Sequence, residues 1–119
     1  MRITDQLLRS FGTLKIMLIC GENTAEKERA RERYKDEPRV QVEGIVSSLA
    51  PFMRECSSII TKPGIATLVE AFAAKRKIFL LPGMPVAEDH NRDHALQHFG
   101  ADLFSVSKFR QWYEAAHRA

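Results

Sequence analysis

No apolar run in this sequence approaches the roughly 20 residues needed to cross a bilayer; the candidates, "IMLIC" and "IFLL", fall far short of it. The opening "MRITDQLLRSFG" has no continuous apolar stretch ahead of a small-residue cleavage site, so it is expected to be a helix rather than a signal peptide. Cysteine is scarce. Cys20 and Cys56 are the two in the chain, far apart and in no CxxC pair, which fits reduced thiols in a cytosolic domain better than a disulfide framework. A basic block is missing too: the net charge is +3 and the pI about 9.1, but the cations are mixed with acids, as in "EKERARERYKDE". Nucleic acid is therefore not an expected partner. Low-complexity segments and short internal repeats are absent.

What is present is a soluble composition, 45% hydrophobic and 28% charged over 119 residues, enough for one modest domain with a single core. Along it, short β-branched apolar runs alternate with helical periodicity. "ITDQLLRSF" spaces Ile3, Leu7, Leu8 and Phe11 for a helix that Gly12 ends. "LKIMLIC" has the profile of a buried parallel strand. The charged "NTAEKERARERYKDEP", with Thr24 and Lys27 near its first turn, predicts a solvated helix stopped by Pro38. "RVQVEGIV" alternates as a strand does, and "SSLAPFMREC" predicts a short helix opened by Ser47 or Ser48. "SSIITKPG", "KIFLLPG" and "ADLFSV" are further strands. "IATLVEAFAAKR", "EDHNRDHALQHFG" with Gly100 as its stop, and "SKFRQWYEAAHR" are further helices.

Repeated β-α units with right-handed crossovers imply an α/β fold, a Rossmann-like parallel sheet of about five strands flanked by helices. Ligands in such sheets sit beyond the carboxyl ends of strands. The loop that best fits this place lies in "TKPGIATLVEAFAAKRK". Ile65, Leu68, Val69, Phe72 and Ala73 account for a core-facing stripe, which leaves Thr67 and Glu70 on one face near the helix start. Free amides and the positive end of a helix favour an anion such as phosphate, and Gly64 lets that anion approach the backbone. The Thr67 hydroxyl adds a hydrogen bond, and the Glu70 carboxylate can accept from two neighbouring hydroxyls such as a ribose presents. A capping Thr with Glu three residues on is the purely structural alternative.

The segments "GIVSSLAPFM", "IITKPGIATLVEA" and "LLPGMP" followed by Glu88 and Asn91, taken in that order, resemble the carboxyl-terminal donor-binding domain of GT-B glycosyltransferases. The nearest groups are the family 28 type, with the peptidoglycan N-acetylglucosaminyltransferase and the diacylglycerol glycosyltransferases. The likeness covers about residues 15 to 105. It implies an inverting transfer from a UDP-sugar without a tightly held metal or other cofactor. Backbone near Val46 would border the uracil, Gly64, Ile65, Ala66 and Thr67 the diphosphate, and Glu70 the ribose. Glu88 and Asn91 would contact the sugar, while Ala87 stands where the family usually has Gln and so puts the identity of the sugar in doubt.

The resemblance also implies what this chain does not carry: the domain's first strand with its Gly-rich loop, and the separate acceptor-binding domain that supplies the general base. Residues 1–119 are accordingly expected to be one donor-binding domain that is a fragment or subunit of a larger transferase, with no catalytic residue assigned. Its place would be cytoplasmic, with a membrane surface reached through the absent domain, and self-association through exposed sheet edges is a further expectation. A UDP-sugar hydrolase or epimerase of the same fold, or a non-catalytic nucleotide-binding or assembly module, remain the alternatives. His90, His94 and His98 recur every four residues, but without an HExxH pattern they are expected to be a solvated helix face rather than a zinc site. Cys56, leading into a buried strand, is not expected to be a nucleophile.

Overall fold

The alternation of helix and strand is present in the computed structural model, which describes residues 2–62, 64–81 and 89–117. The elements run α1 (Arg2–Ser10), β1 (Ile16–Ile19), α2 (Thr24–Arg33), β2 (Val40–Glu43), α3 (Ala50–Glu55), β3 (Ser58–Thr61), α4 (Ile65–Ala73), β4 (Lys77–Leu80), α5 (Asp89–His98), β5 (Asp102–Leu103) and α6 (Val106–Ala116). They gather into two compact units, Met1–Ser47 and Ser48–Ala119. The class is α/β, and every strand pairing is parallel. The five strands form not one ladder but two, β1-β2 in the first unit and β3-β4-β5 in the second. Among the described residues β1 bonds only β2 and β3 bonds only β4, so no hydrogen-bonded strand makes the ladder continuous.

In the first unit, α1 buries Thr4 and Leu7, and Phe11 follows it into the core with Ala30 and Tyr34. Helix α2 begins at Thr24, where the Asn23 side chain accepts from the Glu26 N–H at 2.9 Å. It also stops well before Pro38. Tyr34 turns inward, and its hydroxyl donates to Asp5 Oδ1 at 2.7 Å while the Arg33 guanidinium donates to both Asp5 oxygens. A contact 29 residues away in sequence thus ends the helix. Arg39 finishes α1 from a distance: its Nη1 donates to the carbonyls of Leu8, Phe11 and Gly12 at 3.3, 2.8 and 3.2 Å, groups that a helix end leaves without partners.

In the second unit the period-two alternation of β4 sorts its side chains. Ile78 and Leu80 join Leu68 and Ala71 of α4, Met53 of α3 and Ala95 of α5 in one core. Phe79 belongs to an aromatic cluster with Phe104, Phe109 and Trp112, at ring-centroid distances of 6.2, 5.4 and 5.9 Å. Helix α3 starts after Leu49 without a side-chain cap, although the Ser48 hydroxyl accepts from the Ala50 N–H at 3.2 Å. Its carboxyl end is closed by Arg76, which donates to the carbonyls of Met53 and Arg54 at 2.8 and 2.9 Å. Gly100, with φ +66°, is the stop of α5 that the sequence marks.

The stop of α4 is less expected. The Lys75 N–H bonds Phe72 O at 3.0 Å and the Arg76 N–H bonds Ala71 O at 3.1 Å, a pair that requires a left-handed residue between helix and strand. Lys75 occupies that position with φ +60°, a conformation that costs a residue with a Cβ about 1 kcal/mol. Lys75→Gly is therefore expected to stabilise the second unit by about 0.5–1 kcal/mol, part of the relief being offset by the freer unfolded chain. A urea midpoint that falls instead of rising would contradict this.

Candidate functional site

The carboxyl end of β3 delivers the chain directly into the amino end of α4. The loop is wound tightly there: the Thr61 hydroxyl donates to Lys62 O at 3.0 Å and the Gly64 N–H donates to the same carbonyl at 2.8 Å. Gly64 is the cap, and its φ of −80° and ψ of 129° suit any residue, so conformation does not require a glycine. What the glycine supplies is room, since a Cβ placed on it would meet nothing within 4 Å.

The Gly64 carbonyl accepts from the Leu68 N–H at 3.0 Å, which makes Ile65, Ala66 and Thr67 the first three helical positions. Their N–H groups have no intrahelical acceptor, and the cap residue, Gly64, has no side chain to supply one. Helices α2 and α6 differ here, because Asn23 and Ser105 each accept from a first-turn amide. Among the described residues, the amino end of α4 therefore combines first-turn donors without a side-chain cap, the positive end of the peptide dipoles and open space at Gly64, the features that hold phosphate oxygens.

This geometry also removes one reading of Thr67 and Glu70. With Gly64 as the cap, Thr67 stands at the third helical position, so the pair is not a capping box, which needs its Thr at the cap itself. Thr67 is half-buried and Ala66 exposed. Glu70 is exposed, one turn deeper on the side of the helix that Thr67 shares, and its carboxylate has no hydrogen bond or ion pair among the described residues. It is free to accept from a ligand.

The other sequence-predicted positions are distributed differently. Asn91 is half-buried in α5, whereas Ala87 and Glu88 lie outside the described residues. Val46 belongs to the first unit, half-buried a few residues after β2. Beside it the structure adds two features that the sequence reading passes over. Ile45 is 76% exposed, an unusual position for an isoleucine. Lys27, expected on a solvated face, instead lays its side chain over buried Gly44, where an added Cβ would come within 2.8 Å of its Cδ and 3.3 Å of its Nζ. The only signal for this was a glycine within an otherwise alternating strand pattern.

The remaining reactive groups offer no second site. His90, His94 and His98 are exposed on α5, the last two with rings 4.7 Å apart. Among the described residues no three His, Cys, Asp or Glu side chains converge as metal ligands would. Burial pushes both thiols above their ordinary range, and Cys56 Sγ lies 3.5 Å from Met53 O; a protonated, partly buried thiol is a poor nucleophile. No helix among the described residues is long and apolar enough to cross a membrane.

No family model matches the chain, and no solved structure does. Curated relatives do. The chain is 34% identical over 89 residues to a processive diacylglycerol beta-glucosyltransferase of Staphylococcus carnosus (strain TM300), a match covering 75% of this chain and 22% of the relative. It is 32% identical over 87 residues to the Bacillus mycoides (strain KBAB4) protein of the same name, covering 72% and 22%. The Bacillus pumilus (strain SAFR-032) protein is 30% identical over 91 residues, covering 76% and 24%. The chain thus spans about a fifth of the length of the curated relatives it matches. Shared identity over three quarters of this chain agrees with the order of motifs around the open end of α4, and the chain belongs to the GT-B glycosyltransferases of the family 28 type.

Proposed function

We propose that this chain is the donor-binding part of an inverting, UDP-sugar-dependent glycosyltransferase, and that the amino end of α4 receives the diphosphate. The observation that carries this is the uncapped first turn of α4 opening on the empty space at Gly64. Amides of Ile65, Ala66 and Thr67 would take up the charge that develops on UDP as the sugar departs, the electrostatic part of catalysis. Glu70 would accept from the two ribose hydroxyls. As the family resemblance implies, Val46 would border the uracil, and Glu88 and Asn91 would contact the sugar. The donor is a substrate, and the reading includes no metal or other cofactor.

The acceptor hydroxyl must also lose its proton, and no residue is assigned that role here. The reading therefore places the base and the acceptor site in a partner domain or subunit. The relatives are named for diacylglycerol and glucose, so a glucosyl donor and a diacylglycerol acceptor are the substrate classes proposed for the whole protein. Such an acceptor would hold it at a cytoplasmic membrane surface as a peripheral protein.

Calorimetric titration with UDP and with uridine tests the donor site. UDP should bind, and more tightly than uridine. Glu70→Ala should weaken both by about tenfold or more, the loss of at least one hydrogen bond to a charged group. Gly64→Val is the sharper variant, since its backbone angles suit valine and, among the described residues, an added Cβ meets nothing within 4 Å. It should leave the melting temperature in place and reduce UDP affinity tenfold or more. Equal affinities for UDP and uridine, or a Gly64→Val protein that binds UDP normally, would remove the diphosphate from α4.

A further inference from the structure

Three features meet at the carboxyl end of α4, all of them within the second unit. The first is a groove of about 520 Å³ whose lining includes Phe72, Lys75, Arg76, Lys77, Phe99 and Gly100, a volume in the range of small-ligand sites. The length of α4, about 13 Å, separates it from the amino end at Gly64, so it is distinct from the proposed diphosphate site. The second is an aromatic pair. The Phe72 and Phe99 rings stack with centroids 4.5 Å apart, and Phe72 still leaves 49% of its surface bare. The third is the left-handed backbone of Lys75. Glycine would serve that turn better, and strain held by a residue with a side chain collects at ligand-binding positions.

The three cations of the lining have different employment. Arg76 closes α3 through the carbonyls of Met53 and Arg54, and Lys77 Nζ donates to Gly100 O and to Asp102 Oδ2, each at 2.7 Å. Both serve the fold. Lys75 bonds through its backbone N–H, and among the described residues its ammonium has no hydrogen bond or ion pair. It is not needed to finish the helix either, since Ala71 O and Phe72 O already accept from the Arg76 and Lys75 amides. Among the described residues no acid lines the groove, so its unused charge is positive and lies beside two flat apolar rings. We propose that this groove binds a small organic anion with a flat apolar body, its charged group on the Lys75 ammonium and its body against Phe72 and Phe99. An inorganic anion engages only the lysine and an uncharged ring only the phenylalanines; a ligand that carries both uses the whole site.

Titration of the nitrogen-labelled chain with 2-naphthoate, followed by NMR, tests this directly. The amides of Lys75, Arg76, Lys77, Phe99 and Gly100 should shift and saturate together. The uncharged 2-naphthalenemethanol and the ringless acetate should each bind about fivefold more weakly or worse. Lys75→Gly is the deciding variant, because its effects on fold and on binding run in opposite directions. Its urea midpoint should rise, as relief of the left-handed backbone requires, while its affinity for 2-naphthoate falls about fivefold, the upper end of what an exposed ion pair supplies. Saturating UDP should leave that affinity unchanged. An absence of shifts, shifts scattered over the surface, equal binding of the uncharged analogue, displacement by UDP, or unaltered affinity in Lys75→Gly would each overturn the proposal.

Discussion

Phe79→Ala is expected to destabilise the second unit by about 3–5 kcal/mol, the cost of emptying a fully buried aromatic site. Phe79 is wholly inaccessible and touches three other rings, so the surrounding structure has little freedom to close over the void. A domain of ordinary stability has about 5–15 kcal/mol in all, and the variant should sit near its unfolding threshold at room temperature. Trp112 reports on the event, being the single tryptophan of the chain and 5.9 Å from Phe79. Urea unfolding followed by its fluorescence should show the midpoint collapse for Phe79→Ala. Phe79→Leu, which keeps more of the volume, should cost less than half as much. A loss below about 1 kcal/mol for the alanine variant would mean that these rings do not form the core described.

The second large effect is expected in the first unit, at Asp5, Arg33 and Tyr34. Hydrogen bonds from Arg33 and then Tyr34 hold the Asp5 carboxyl below its usual range. Its contribution is present above the unfolded value and is lost as pH falls through the folded one. Tyr34 behaves in the opposite sense. Burial first, and the bond to Asp5 second, push its phenol up to about 12. The folded value lies above the unfolded one near 10, so this contribution is intact below pH 10 and disappears between pH 10 and about 12. Two pH units correspond to roughly 3 kcal/mol. Tyr34→Phe should cost about 1–2 kcal/mol at neutral pH by removing a donor from a charged acceptor, and its stability should decline less across the alkaline window. Parallel alkaline profiles for the two proteins would show that the phenol is not held as described.

Much of this architecture was legible because its determinants are local. Apolar runs such as "IMLI" and "KIFL", the glycine after α5 and the serine before α6 each specify a strand, a stop or a cap within a few residues. The end of α2 was not legible, since it depends on Tyr34 finding Asp5 across 29 positions. The division of the sheet has no local signal of its own, since it depends on which strand has a neighbour and not on how apolar each strand is; it was expected only through the family resemblance. At α4 the sequence singled out the loop before the helix and left two explanations for Thr67 and Glu70. Only the position of the cap, one turn earlier at Gly64, separates them. The left-handed Lys75 carried no signal, because lysine is not the residue that such a backbone favours.

Arg39 gives the first unit a property that no single element confers. Its guanidinium clasps the last carbonyls of α1 from a position next to the start of β2, bypassing β1 and α2 in the sequence. Unwinding the last turn of α1 would abandon three bonds to a cation fixed at the sheet, so the carboxyl end of α1 is denied easy local opening and yields only together with the start of β2.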